Sequence, residues 1–234
     1  MLIRIGRWTT ACMIGISFLF GALPLGATTY SVTPDADSDC SDLTCDLRSA
    51  LNAASANDEG DTISLASGTY DASASPFVWN TIKDFPLTIL GSELTIIDGG
   101  GTNQGMSIDT TRALSDTSGH VTLRNIHFRN GMTPAAPGGG LFVMTRDASV
   151  ALERCVFREN NASGGGAYLY SFSGTVTLTG NHVTNNTASS SAGGALFVAS
   201  DAGQVMIQNN LVINNQSSFC VGGSSPVPLR EQSP

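Results

Sequence analysis

Between Val121 and Asn215 the chain writes one motif four times. It reads VTLRNIHF from Val121, VALERCVF from Val150, VTLTGNHV from Val176 and VMIQNNLV from Val205, at intervals of 29, 26 and 29 residues. A recurrence of this period marks stacked units, each burying its apolar side against its neighbours. Aligning the copies gives columns. Val121, Val150, Val176 and Val205 share one, Leu123, Leu152, Leu178 and Ile207 a second, and Phe128, Phe157, Val183 and Val212 a third. The first two lie two residues apart, the period of a strand with its apolar side inward. Between the second and third the chain bends, at Asn125, Arg154–Cys155, Gly180–Asn181 and Asn209–Asn210. It bends again at Asn160–Asn161, Asn185–Asn186 and Asn214–Asn215. Glycine and asparagine tolerate left-handed corners, and stacked asparagines can hydrogen-bond from coil to coil. The repeat therefore predicts a parallel β-solenoid with coils roughly 4.8 Å apart.

Each copy then runs through glycines, Gly138–Gly140, Gly164–Gly166 and Gly193–Gly194, into an apolar strand, LFVM, AYLY or ALFV. A phosphate-binding loop needs a helix after its glycines. A strand follows here every time, which excludes that reading. A helical repeat conflicts with the two-residue period, and a β-sandwich leaves the regular recurrence unexplained. Ahead of the repeats, further strands are expected over Thr62–Leu65, Phe77–Asn80, Leu87–Leu90, Leu94–Ile97 and Met106–Asp109. Asp98, in front of three glycines, reads as a turn residue.

The first 27 residues read as an export signal. Arg4 and Arg7 precede a mostly apolar stretch over residues 11–23, and Pro24 to Ala27 provides a small-residue exit. Cleavage after Ala27 removes those two arginines and takes the formal charge from −8 to −10. No second apolar span follows. The chain has no basic stripe to displace phosphate counterions, which excludes a nucleic-acid partner. Export permits disulfides. Cys40 and Cys45, five apart in a polar loop, are expected to pair, and the pairing of Cys155 and Cys220 stays open. Asp35, Asp37, Asp39 and Asp42 make that loop acidic, but it lacks the EF-hand pattern. Leu47, Ala50, Leu51 and Ala54 form one apolar stripe of a helix over Asp46–Asn57, N-capped by Asp46. Such a helix suits a lid over the open end of a stack.

Two resemblances follow from these residues. The stretch from Tyr30 to Tyr70, with CDLRSAL, DTISL and the SGTY turn, resembles the N-terminal CSLREA-type domain of exported bacterial proteins. Ser49 stands where that pattern has Glu. The resemblance implies a bacterial source and a following right-handed parallel β-helix. The Gly-Gly-Ala and Gly-Gly-Leu runs, with Phe157-x-x-Asn160 beside them, are similar to the repeats of polymorphic outer-membrane proteins over residues 121–223. That implies a β-helical surface or passenger region. The organisation expected is a signal peptide over 1–27, an N-terminal cap over 28–60, β-helix coils over 61–223 and an irregular tail over 224–234. A glycine-led strand starts at Gly222–Gly223 and dissolves, as in a truncated product.

Parallel β-helices include polysaccharide lyases and hydrolases, which need converging carboxylates or a base with calcium. The acids of the repeats, Asp147, Glu153, Glu159 and Asp201, share no neighbouring columns. Glu153 aligns with Arg124 as an exposed cross-coil ion pair. His127 and His182 share a column with Val156 between them, too far apart for one metal. No catalytic residue, metal site or cofactor is assigned. With Leu141, Val143, Ala167, Leu169, Ala195 and Phe197 inward, Phe142, Tyr168 and Leu196 point outward, as do Met144, Tyr170 and Val198. Phe142, Tyr168, Tyr170 and Leu196 are thus the candidate ligand-binding residues, an apolar and aromatic ribbon suited to surface glycans or cell-surface proteins. The expected function is an exported, non-enzymatic adhesion or passenger scaffold, secreted or on the bacterial surface. The alternative is a polysaccharide lyase or glycoside hydrolase on the same fold.

Overall fold

The computed structural model describes residues 27–113, 119–133, 136–189 and 194–217. The expected signal peptide up to Gly26, Cys12, Cys220 and the tail lie outside them. The described chain is an all-β parallel solenoid of about six turns, with one helix, α1 (Leu47–Ala56). Every described strand pairing is parallel, and the turns visit the long, second and aromatic faces in the same order, with the short face added from Met132 onward.

The long face stacks Thr44–Cys45, Thr28–Val32, Asp61–Leu65, Leu87–Leu90, Val121–Arg124, Val150–Glu153, Val176–Thr179 and Val205–Gln208. The second face holds Gly68–Asp71, Thr95–Asp98, His127–Arg129, Val156–Arg158, His182–Thr184 and Leu211–Ile213. A short third face joins Met132–Thr133, Asn161–Ala162, Thr187–Ala188 and Gln216–Ser217. The aromatic face carries Phe77–Asn80, Met106–Asp109, Leu141–Thr145, Ala167–Ser171 and Leu196–Ser200. The columns of the repeat are literal neighbours: Val121, Val150, Val176 and Val205 pair in turn, as do Phe128, Phe157, Val183 and Val212. In every coil before the last described one these side chains are buried in the lumen, where the Phe128 and Phe157 rings stack at 5.0 Å. One expected strand shifts. It spans Thr95–Asp98, leaving Leu94 exposed, because Thr95 turns inward and its hydroxyl hydrogen-bonds the Ala66 carbonyl at 3.2 Å.

Two asparagine ladders run along the corners. Asn181 Oδ1 accepts from the Cys155 N–H, and Asn210 Oδ1 accepts from the Asn181 N–H. At the next corner Asn160 Oδ1 takes the Gly131 N–H, Asn186 Oδ1 that of Asn160, and Asn215 Oδ1 that of Asn186. Each amide nitrogen returns a bond to the coil before, as from Asn186 to the Phe157 carbonyl at 3.0 Å. The bends demand left-handed backbone, which Asn125, Asn130, Gly180, Asn185, Asn209 and Asn214 supply at low cost. Arg154 (φ 50°) and Glu159 (φ 56°) hold the same conformation in one coil.

Within the four copies of the repeat the spacing is rigid except at one place. From the long to the second face takes six residues in all four copies, and from the second to the short face five. From the aromatic to the next long-face strand takes nine. Only the connection from the short to the aromatic face varies, at nine, six and nine residues, and it accounts for the whole difference between periods of 29 and 26.

At the N-terminal end α1 lies against the first coils. Asp46 caps it, accepting the Ser49 N–H at 2.9 Å and the Ser49 hydroxyl at 3.1 Å. Leu47, Ala50, Leu51 and Ala54 are buried. Arg48 stacks 4.5 Å over the Phe77 ring and donates to the Pro76 carbonyl at 2.6 Å. Lys83 grips the helix C-terminus through the Ala56 and Asn57 carbonyls and pairs with Asp58 at 2.8 Å. A cation there complements the helix dipole. Cys40 and Cys45 are disulfide-bonded beside it.

Candidate functional site

The aromatic face presents the second and fourth positions of its strands to solvent because side chains alternate along a strand. Phe142, Tyr168 and Phe197 are paired in register, with ring centroids 5.4 and 4.5 Å apart and planes within 13°. Met144, Tyr170 and Ala199 form the next outward column. Phe172, 44% exposed, meets Tyr170 edge-on at 5.0 Å. The Tyr170 hydroxyl donates to Asp201, a bond that pushes the phenol up to about 12.

Leu196 is not part of this strip, which corrects the expected assignment. Leu141, Ala167 and Leu196 share an inward column, and Leu196 is buried at 8% exposure. Phe197 takes the outward place, and Val198 packs against the core. The cause is the variable corner. Aligning the last copy by its two glycines sets Ala195 opposite Leu141. In the structure Gly166 N–H donates to the Ala195 carbonyl, so Ala195 stands where earlier coils have their third glycine. A slip of one residue turns every side chain of a strand to the other face. The Phe-Tyr-Phe stack was legible only with that slip included.

A shallow recess of about 450 Å³ lies at the corner between the second and short faces. Asp98, Asn130, Met132, Glu159 and Asn161 line it beside Gly100, Gly101 and Gly131. Asp98 is more than a turn residue. It pairs with Arg129 at 2.7 Å and accepts the Gly100 N–H at 2.9 Å and the Asn130 amide at 3.1 Å. Burial resists its ionisation, but these bonds together hold the carboxyl below its usual range. Sequence reasoning read Asp98 as a turn residue, whereas it is the last residue of the strand Thr95–Asp98, and it missed the partner because Arg129 reaches it from the next coil.

Other residues stay apart. Glu153 forms the expected ion pair with Arg124, at 2.9 Å, on the long face. His127 and His182 flank Val156 in one column. Burial and then the Arg158 charge lower the His127 pKa. Cys155 is buried with a free thiol, which burial pushes up to about 12. Among the described residues no three His, Cys, Asp or Glu are grouped to hold a metal. No described helix is long and apolar enough to cross a membrane. The acidic loop folds on itself through turns such as Asp37 Oδ1 to the Asp39 N–H at 3.0 Å.

Residues 90–231 match the family model described as a right-handed beta helix region. Searches of curated proteins and of solved structures found no match.

Proposed function

The chain belongs to the right-handed beta helix family, and on that premise we propose that it is a non-enzymatic binding protein, secreted or held at the cell surface. The carrying observation is the outward strip of Phe142, Tyr168, Phe197, Tyr170 and Phe172. Stacked along the solenoid axis, the three rings of the file spend their faces on one another and offer edges to solvent. Sugars stack on ring faces, whereas a flat apolar strip with a tyrosine rim suits a protein surface. The partner is therefore a cell-surface protein in preference to a glycan. The test is binding of purified full chain to intact cells before and after protease or glycosidase treatment. Expected are protease-sensitive binding and its loss in Tyr168→Ala/Phe197→Ala. Binding abolished by glycosidase alone would overturn the protein-partner reading.

The recess gives a second reading some support, because Asp98 and Glu159 both line it. The stacking order sets them two coils apart, roughly 10 Å, with Arg129 already bound to Asp98. That separation lies at or beyond the long limit for inverting glycoside hydrolysis. Release of reducing ends from a polysaccharide panel, lost in Glu159→Gln, would establish the enzyme instead.

A further inference from the structure

The outer side of the long face carries a pattern that the aromatic strip does not explain. Thr29, Thr62, Thr88, Thr122, Ala151 and Thr177 occupy one outward column on six consecutive coils, and Met206 ends it. Threonine is a good strand residue and Thr–Thr neighbours stabilise a sheet slightly. If that were the whole reason, threonine would be spread over all outward columns. The five others on the long, second and aromatic faces together hold four, Thr44, Thr69, Thr179 and Thr184. One column holds five.

Three further properties set this file apart. No side chain from Thr29 to Thr177 is larger than threonine, so the row is level. None of its five hydroxyls has a protein partner among the described residues. Threonines at the corners use theirs, as Thr145 does on the Ala148 carbonyl at 2.8 Å and Thr102 on the Ser73 carbonyl at 2.8 Å. Finally, the hydroxyls of Thr29, Thr62, Thr88 and Thr122 recur at the strand spacing, about 4.8 Å, over three steps or roughly 14 Å, and after Ala151 the Thr177 hydroxyl follows two spacings on.

We propose that this file binds an extended, linear, neutral polysaccharide lying along the solenoid axis. An extended sugar chain advances by about one strand spacing per residue, so four successive sugars can each meet one threonine hydroxyl, from Thr29 to Thr122. The file is a line and not a plane. Its neighbouring outward column changes from Ser31 and Ser64 to Leu90 and the Arg124–Glu153 ion pair. A single row matches a chain, whereas a two-dimensional lattice would need two matched rows. The paired charges leave no net attraction for an acidic polymer, which favours a neutral one. This site is on a different sheet from the aromatic strip, and its failure leaves the protein-partner reading untouched.

The test is retention of the full chain on insoluble cellulose and on insoluble chitin. Retention by at least one is expected. Thr62→Val/Thr88→Val/Thr122→Val keeps the shape and strand preference of each site and removes the hydroxyl. It should bind at least tenfold more weakly, with unchanged thermal unfolding. The corresponding serine triple restores the hydroxyls and should recover most of the binding. Absence of retention on both polymers overturns the proposal. So does a valine triple that binds like the parent, or retention that is lost in Tyr168→Ala/Phe197→Ala instead.

Discussion

Three residues carry costs that can be measured singly. Asp61 is buried at 5% exposure between Asn57, whose amide donates to it at 2.9 Å, and the Glu59 charge. Burial raises its carboxyl to about 6. The folded chain therefore holds this proton more tightly than the unfolded chain does. The stability it contributes is full below about pH 4 and is lost as the pH rises through 6. Relative to Asp61→Asn, the parent should lose on the order of 1–2 kcal/mol between pH 4 and 7 after solvent screening, read from paired urea titrations. Arg154 and Glu159 hold left-handed backbone where other coils use asparagine or glycine. Glu159→Asn should raise stability by about 0.5–1 kcal/mol in the same titration. An unchanged or lower midpoint would mean that the Glu159 side chain offsets its backbone strain.

At the scale of the element, the asparagine ladder and the strand registers decide what the sequence could reveal. Asn186 sits mid-ladder, accepting from Asn160 and donating to the Phe157 carbonyl and Asn215. Asn186→Ala orphans buried groups on two coils and should cost about 2–4 kcal/mol, against about half that for the outer rung in Asn215→Ala. Denaturation midpoints of the two variants would show it. The same ladders were legible in advance, because Asn160, Asn186 and Asn215 recur with the period of the coil. The position of Phe197 was not. Strand residues alternate, and the loop before Leu196 hides how many residues separate it from the previous face. The Arg129–Asp98 pair was hidden for another reason, since Asp98 lies in a coil that precedes the repeat motif. The threonine file needs the register of strands before Val121, where no repeat marks the alignment.

For the whole molecule, the strand pairings run from each coil to the next, 26 to 34 residues apart on the long face, so stability is close to a sum along one axis. Its two ends differ. Helix α1, Lys83 and the Cys40–Cys45 bridge close the first coils, while Val205, Met206 and Leu211 of the last described coil are 40–50% exposed. Amide exchange should be slowest around Val150–Val183 and fastest over Val205–Ser217, with α1 protected well above the latter. Reducing the disulfide should lower stability by about 2 kcal/mol, the loop being short, and should speed exchange in α1 before any other element. Uniform exchange along the chain would contradict an axial sum. One feature bears on how such chains diversify. Within the four copies, residues are gained or lost only in the connection ahead of each aromatic strand, while the other three connections keep their length. A gene can therefore acquire in-frame codons at that place, coil by coil, without disturbing the stack. Every such change alters the border of the aromatic strip and leaves the threonine row in step. Of the two faces, one is free to drift toward new partners and the other is held to a fixed ruler.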